Sequence, residues 1–384
     1  MPIFRRFYRI CEVKLMWIII FLLMLIMSVG GAVYLVRGIH RFSFLQKLCE
    51  SRPKLSWIAA IGLLALTGVF LFVNVWALII VLIHLFVFWL GCDIVAWFVK
   101  RVRGSAPKKN YAGAAAVCIT ALYLGMGWFL AHHVFVTDYQ LTTTKNLGQD
   151  YYRIALVADS HLGITLDGEQ FAEQMERVNA ERPDAVVIAG DFVDDDSCRS
   201  DMVRACQALG EMNAKYGVYF IFGNHDKGYY EGYRDFKTED LRQELAKNGV
   251  TILEDESALA GNVRIIGRQD KSEEQRGGSR EEMSSLMAEA DSSQYTVVLD
   301  HQPNAYDEEA QSGADLVLSG HTHGGHIFPA GQIGLAIGAN DRVYGYEKRL
   351  NTDYIVTSGI SGWAIPFKTG TFSEYVIIDI NSTH

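Results

Sequence analysis

Apolar residues run almost without interruption through the first third of the chain, then break into short bursts after about residue 150. A helix needs about 20 mostly apolar residues to cross a bilayer. Residues 15–36 meet that requirement, and so do residues 112–136, which open on Ala112-Gly113-Ala114-Ala115-Ala116. The stretch 55–99 is too long for one crossing and divides at Asn74, which predicts spans over 55–73 and 75–99. The pattern therefore predicts a four-helix membrane region over residues 1–138. Its first helix reads as an uncleaved span, because the run is long and further spans follow it. Residues 139–150 are polar and rich in threonine, a linker or lead-in strand, and 151–384 form a separate domain.

Within 151–384 the spacing predicts strands over 153–158, 185–189, 218–222, 296–299, 316–319, 354–357 and 375–380. Helices are expected over 171–181, 202–216 and 238–247, with Pro183 stopping the first. Short continuous apolar runs alternating with amphipathic helices mark an α/β domain whose strands are covered on both faces. The first five strands share a further property, for each runs straight into Asp, His or Asn. The five clusters are Asp159-Ser160-His161, Gly190-Asp191, Gly223-Asn224-His225-Asp226, Asp300-His301 and Gly320-His321-Thr322-His323-Gly324-Gly325. In α/β sheets ligands bind beyond the carboxyl ends of strands, where separate loops converge.

Composition sharpens this picture only in part. Hydrophobic residues make up 49% and charged residues 21%, and the formal charge of −9 belongs mainly to the second half. That acidity argues against a nucleic-acid partner, which would need a basic surface. A phosphate-bearing substrate is still allowed, since bound cations reverse the local field. None of the six cysteines forms a C-x-x-C pair, so a zinc knuckle is not expected; Cys198 and Cys206 read as free thiols or a disulfide. Flanking Lys and Arg set orientation. Arg37, Arg41, Lys47, Arg52 and Lys54 follow the first span, and Lys100, Arg101, Arg103, Lys108 and Lys109 follow the third. These place the C-terminal half outside the cytoplasm of a multi-pass plasma-membrane protein, although Arg5, Arg6, Arg9 and Lys14 point the other way. Among polar residues of the spans, His84 reads as hydrogen-bonded inside the bundle and Asp93 as paired with a nearby cation. His132-His133 read as interface markers.

Each strand-end cluster alone is a weak signal; Gly-Asn-His-Asp and Gly-His-Thr-His-Gly-Gly are the stronger ones, since glycine lets backbone come close to an ion or phosphate. Carboxylate, imidazole and amide oxygen form a mixed hard and borderline donor set that suits Mn, Fe or Zn. The ordered series D-x-H, G-D, G-N-H-D, H, G-H-T-H resembles the calcineurin-like metallophosphoesterases, over nearly all of 151–380 and none of the membrane part. Ile265-Ile266-Gly267-Arg268-Gln269-Asp270 and the tail Ser358-Gly359-Ile360-Ser361-Gly362-Trp363, with Glu374, are similar to bacterial membrane-associated or exported phosphodiesterases.

That resemblance implies a four-layer αββα sandwich, here preceded by an α-helical transmembrane bundle, and two divalent metal ions. One ion would be held by Asp159, His161, Asp191 and His323, the other by Asp191, Asn224, His301 and His321, with Asp191 bridging. It also implies a metal-bridging hydroxide as nucleophile, His225 touching the phosphoryl group or protonating the leaving oxygen, and Asp226 orienting His225. Two departures stand out: His326 where relatives usually carry Gln, and Lys368 where many carry Arg, both expected on the substrate side. Asp194-Asp195-Asp196 reads as a solvated loop, Tyr229, Tyr230, Tyr233 and Phe236 as pocket wall or packing, and residues 271–287 as a lid or exposed loop. The expected function is hydrolysis of a phosphodiester or pyrophosphate, on a lipid-linked or envelope substrate at the bilayer. The alternatives are a phosphomonoesterase or phosphoprotein phosphatase, or a non-catalytic membrane receptor or scaffold.

Overall fold

A computed structural model describes residues 26–105, 109–229, 232–288 and 290–383. The chain divides into two compact units, Met1–Leu124 and Gly125–His384. In the first, α1 (Ile26–His40) and the short α2 (Ser43–Ser51) lead into α3 (Pro53–Ala65), which tightens into a 3₁₀ segment, Leu66–Phe72. Then come α4 (Val75–Arg103) and α5 (Tyr111–His132), whose last turns belong to the second unit. Among the described residues three helices, Pro53–Phe72, Val75–Arg103 and Tyr111–His132, are long and apolar enough to cross a membrane. Residues 15–25 of the first expected span lie outside the described residues.

The division at Asn74 has a local cause. Its side chain accepts from the Ala77 amide at 2.8 Å and so caps α4, while left-handed Gly104 closes the other end beyond Lys100, Arg101 and Arg103. His84 Nδ1 bonds its own helix at the Ile80 carbonyl, 2.9 Å away. Asp93 pairs with Arg41 at 2.7 Å and accepts from Tyr34 at 2.6 Å.

The second unit adds twelve strands: β1 (Val134–Thr143), β2 (Tyr151–Val157), β3 (Ala185–Ala189), β4 (Val218–Ile221), β5 (Thr251–Ile252), β6 (Glu256–Ala260), β7 (Val263–Gly267), β8 (Tyr295–Leu299), β9 (Leu316–Ser319), β10 (Gly345–Arg349), β11 (Thr352–Val356) and β12 (Ser373–Ser382). Its further helices are α6 (Gly168–Ala180), α7 (Arg199–Gly210), α8 (Thr238–Lys247), α9 (Ser272–Gln275), α10 (Met283–Leu286), α11 (Tyr306–Ser312) and α12 (Ala330–Ala336).

Two six-stranded sheets form, ordered β1-β12-β2-β3-β4-β5 and β10-β11-β9-β8-β7-β6. Strand alternation builds the layers. Ile154, Leu156, Val187 and Ile221 of the first sheet meet Ile265, Val297, Leu299 and Leu318 of the second in one buried core. Ala155, Val157, Val186, Ile188 and Phe220 face the other way, against Phe171 and Met175 of α6, Cys206 of α7 and Leu241 of α8. Val298, Val317 and Tyr354 pack on Met283 and Tyr306. Helix, sheet, sheet, helix is the expected four-layer sandwich.

Strand β1 corrects the boundary read from sequence. Residues 134–136 belong to it, not to a span, and residues 139–143 make the start of the expected linker or lead-in strand a true strand, the whole of β1 pairing in parallel with β12 over ten residues. Its alternating burial explains why a run of continuous hydropathy missed it. Cys198 and Cys206 are free thiols, exposed and buried respectively.

Candidate metal centre

The first sheet ends β2, β3 and β4 on the clusters at Asp159, Asp191 and Asn224; the second ends β8 and β9 on those at His301 and His321. The turns that carry them are tight. Among the described residues ten non-glycines have positive φ, and five of these are the expected ligands Asp159, His161, Asp191, His321 and His323. Left-handed backbone at such residues costs about 1–3 kcal/mol each and persists only where surrounding contacts impose it. Gly190 shows how close the loops come: at φ +86°, a Cβ there would lie 2.7 Å from His301 Nδ1 and from the Gly223 amide nitrogen.

All seven expected ligands come together. His161 Nε2 lies 3.2 Å from His323 Nε2, and His323 Nε2 is 3.7 Å from Asp159 Oδ1. In the second group His301 Nε2 is 3.0 Å from Asp191 Oδ2 and 3.2 Å from Asn224 Oδ1, while His321 Nδ1 is 2.8 Å from Asn224 Oδ1. Asp191 Oδ2 also reaches to 3.5 Å of His161 Nε2, so a single carboxylate oxygen touches both groups. Ligand atoms of Asp159, His161 and His323 lie within 4.8 Å of one another, and so do those of Asp191, His301 and His321.

The outer nitrogens decide what the inner ones can do. His301 Nδ1 bonds the Ala189 carbonyl at 2.8 Å and His323 Nδ1 bonds the Ser361 carbonyl at 3.1 Å. His161 Nδ1 stands 3.2 Å from Asp194 Oδ2. A carbonyl or carboxylate only accepts, so these contacts favour the proton on the outer nitrogen and, in the neutral ring that a metal requires, leave the Nε2 lone pair facing inward. Lone pairs of His161 and His323 facing each other at 3.2 Å, beside buried carboxylates, repel unless a proton or cation lies between them. The donor set thus fits two divalent cations held by imidazole, carboxylate and amide oxygen.

Electrostatics point the same way. Burial opposes charge on both partners, yet His301 is driven well above its usual pKa by Asp191, and Asp191 well below its own by His301. Burial pushes Asp159 up to about 6, against the pull of His301. Burial lowers His225, which keeps its imidazole neutral near neutral pH.

Four residues depart from the expected roles. Asp226 does not couple to His225: its fully buried carboxylate accepts from the amides of Gly223 (2.7 Å), Phe192 (2.8 Å), Asp191 (2.9 Å) and Val193 (3.0 Å). Burial and the nearby Asp191 charge raise its pKa, and the amides oppose them. It is a clamp that shapes the Asp191 turn. Lys368 is buried, its amine donating to the carbonyls of Ser358 (2.7 Å), Gly359 (3.1 Å) and Phe372 (3.4 Å), so it does not face a substrate. His326 Nε2 bonds the Ile365 carbonyl at 3.1 Å, bracing the same loop from inside. Asp194 is buried behind His161, not solvated.

His225 stands on the open side, its amide donating to Asp191 Oδ1 at 2.8 Å and its ring 5.0 Å from Tyr229 and 5.3 Å from Trp363. Residues 271–287 lie against the site: Arg276 donates to the Asn224 carbonyl (3.0 Å) and the Gly228 carbonyl (2.8 Å), and Lys227 pairs with Glu273 at 3.1 Å. Asp194 and Arg276 escaped the reading from sequence. The spacing Gly190-Asp191-x-x-Asp194 was the available signal for the first; nothing local marks the second.

Residues 152–325 match the family described as calcineurin-like phosphoesterase. An uncharacterized metallophosphoesterase of Campylobacter jejuni is 31% identical over 236 residues, 61% of this chain and 60% of that protein. The chain thus spans less than two thirds of that relative's length. A transmembrane protein with metallophosphoesterase domain from Danio rerio is 32% identical over 232 residues, 58% of this chain and 51% of its own. Beside three helices of membrane-crossing length, this marks a membrane protein. An uncharacterized metallophosphoesterase of Aquifex aeolicus is 32% identical over 250 residues, 64% of this chain and 91% of its own length. On that match, with the strand-end site in place, the chain belongs to the calcineurin-like metallophosphoesterases, a family of binuclear metal-dependent enzymes.

Proposed function

We propose that this protein is a membrane-anchored phosphoesterase that hydrolyses a phosphodiester or pyrophosphate bond at a two-metal centre, with its catalytic unit outside the cytoplasm of the plasma membrane. The observation that supports this most directly is Asp191, one carboxylate oxygen shared between two sets of inward-facing ligands. Two bound divalent cations would supply Lewis acidity to the phosphoryl oxygens and lower the pKa of the attacking water. The chain's own residues do the rest. Asp159, His161 and His323 would hold one ion and Asn224, His301 and His321 the other, with Asp191 shared between them. His225, neutral and half-exposed, is placed to hydrogen-bond the phosphoryl group or the leaving oxygen. Tyr229 and Trp363 wall the same side.

A diester is favoured over a monoester by charge. Lys368, the basic residue of the tail loop, spends its amine on three carbonyls, so that loop offers no clamp for a dianion. The test is turnover of an aryl phosphodiester and the matching monoester by the full chain in detergent with Mn. Diester hydrolysis should exceed monoester hydrolysis, and Asp191→Asn should abolish both together with paired metal binding. Two metals bound without turnover of either ester would sink the proposal in favour of a scaffold. The basic loops support the orientation, and a cytoplasm-only reporter that works after His384 would reverse it.

A further inference from the structure

Directly after Gly324-Gly325-His326 the chain runs through residues 327–340 without a single charged side chain, in a protein where 21% of residues are charged. This segment is not buried. Phe328 and Ile333 are each 55% exposed, Leu335 45% and Ile337 74%. Large apolar side chains scattered singly over a surface are ordinary, whereas several adjoining ones mark a surface that meets something apolar.

What the segment meets follows from what it is tied to. Phe328 donates its amide to Thr369 Oγ1 at 3.1 Å, and the Thr369 and Gly370 amides return to the His326 carbonyl at 2.9 Å. That same loop rests on the end of α5. Lys368 donates its amide to the Gly127 carbonyl at 2.9 Å, Trp128 packs edge-on against Phe367 at 5.7 Å, and a Cβ on Gly127 would sit 2.8 Å from the Thr369 methyl. Only a few residues thus separate the apolar segment from the last turns of a membrane-length helix, where exposed Trp128 and Phe129 give way to His132 and His133. Aromatic residues followed by polar ones are what a helix shows at the membrane–water boundary. The same segment also abuts the site: a Cβ on Gly331 would lie 2.8 Å from Gly325 Cα.

We propose that residues 327–337 form a membrane-contacting element that dips into the bilayer crossed by α5 and brings the metal centre to the phosphoester of a lipid headgroup. The occupant of the apolar surface is the phospholipid bilayer itself. The element is tied through Phe328 to the loop at the span's exit and through Gly331 to Gly325 of the site, so insertion fixes the height of the site above the lipid. The headgroup half of this inference rests on the phosphoesterase reading; the lipid contact does not.

The experiment uses the full chain in phosphatidylcholine nanodiscs, with the photo-crosslinker benzoylphenylalanine replacing Ile337. Leu122, 75% exposed on α5, is the reference for lipid contact, and Gln243, on the exposed face of α8, for water. Lipid adducts at position 337 should approach those at 122 and exceed those at 243 by about tenfold. A yield at 337 no higher than at 243 would overturn the proposal, and so would adducts to a second copy of the chain in place of lipid. In a paired measurement, Ile333→Glu with Ile337→Glu should slow hydrolysis of a vesicle-borne lipid phosphodiester about tenfold and leave the aryl diester unchanged. Equal loss on both substrates, or none on the lipid, would count against the element. Adducts at 337 with aryl turnover but no lipid turnover would remove the headgroup substrate alone. Absence of aryl turnover would remove the phosphoesterase reading and leave the crosslink to decide the contact.

Discussion

Asp194 and Asp226 show how differently two buried carboxylates three and two residues from a ligand can act. Asp194 meets His161 on its outer nitrogen, the position from which a carboxylate fixes tautomer and ring orientation in metal sites. Removing such a partner lowers metal affinity by about 10- to 100-fold. Asp194→Ala should therefore weaken binding at the Asp159 side, seen by metal titration, with turnover recovering at high metal and Asp194→Asn falling between. Unchanged affinity in the alanine variant would leave Asp194 a packing residue. Asp226 makes the opposite prediction. Its Oδ2 accepts from Asp191 and Gly223 and its Oδ1 from Phe192 and Val193, so Asp226→Asn must set an NH2 group against two amide donors. Each buried group left without a partner costs about 1–3 kcal/mol. The variant should lose thermal stability while its residual activity keeps the pH profile of the parent; a shifted profile would restore the coupling to His225. The ligands were legible because residue type, order and strand-end position agree. These two roles were not, since one acidic run looks like any other until the fold turns one member inward.

At the scale of elements, the strands with continuous apolar runs were legible almost to the residue. β3 and β9 match their expected bounds, whereas β5, β6, β7 and β10, with mixed or very short patterns, were not seen, and β1 was read only in part, as a linker or lead-in strand over 139–150. What binds these elements is partly ionic. Arg153 on β2 reaches Asp379 on β12 at 2.7 Å, and Tyr151 and Gln140 donate to the same carboxylate at 2.5 and 2.8 Å. Burial works against that charge, but the three donors outweigh it and hold Asp379 below the usual carboxylate range. A carboxyl with a depressed folded-state pKa contributes stability that is fully present above its unfolded value, about 3.9, and lost as pH falls through its folded value. Asp379→Asn should then cost about 1–3 kcal/mol near neutral pH. In thermal unfolding the gap between parent and variant should narrow as pH falls through 4 towards 3. A gap independent of pH would mean that packing, not charge, joins β2 to β12 there.

For the molecule as a whole the informative boundary is Gly125, inside α5, where the second unit begins. Hydropathy alone put the division after residue 138, because the helix end and the first half of β1 share one apolar run. The fold carries the sheet of the second unit back past residue 151. β12 is buried over Ser373–Ile380 and needs β1 on its far side, and Glu374 takes one of its hydrogen bonds from Thr137 of β1. A fragment of residues 151–384 would bare a ten-residue strand edge that is otherwise buried over most of its length, the kind of unpaired edge that pairs with other chains and aggregates. A fragment of 134–384 keeps β1 and should be the more soluble of the two, with two metals bound per chain. Size-exclusion chromatography with metal analysis on the pair is decisive. If 151–384 ran as a metal-loaded monomer, β1 would be a dispensable strap and the last span merely a tether. If only 134–384 does so, the strand leaving the membrane is part of the sheet that carries Asp159, Asp191 and Asn224, and the anchor and the active site are one construction.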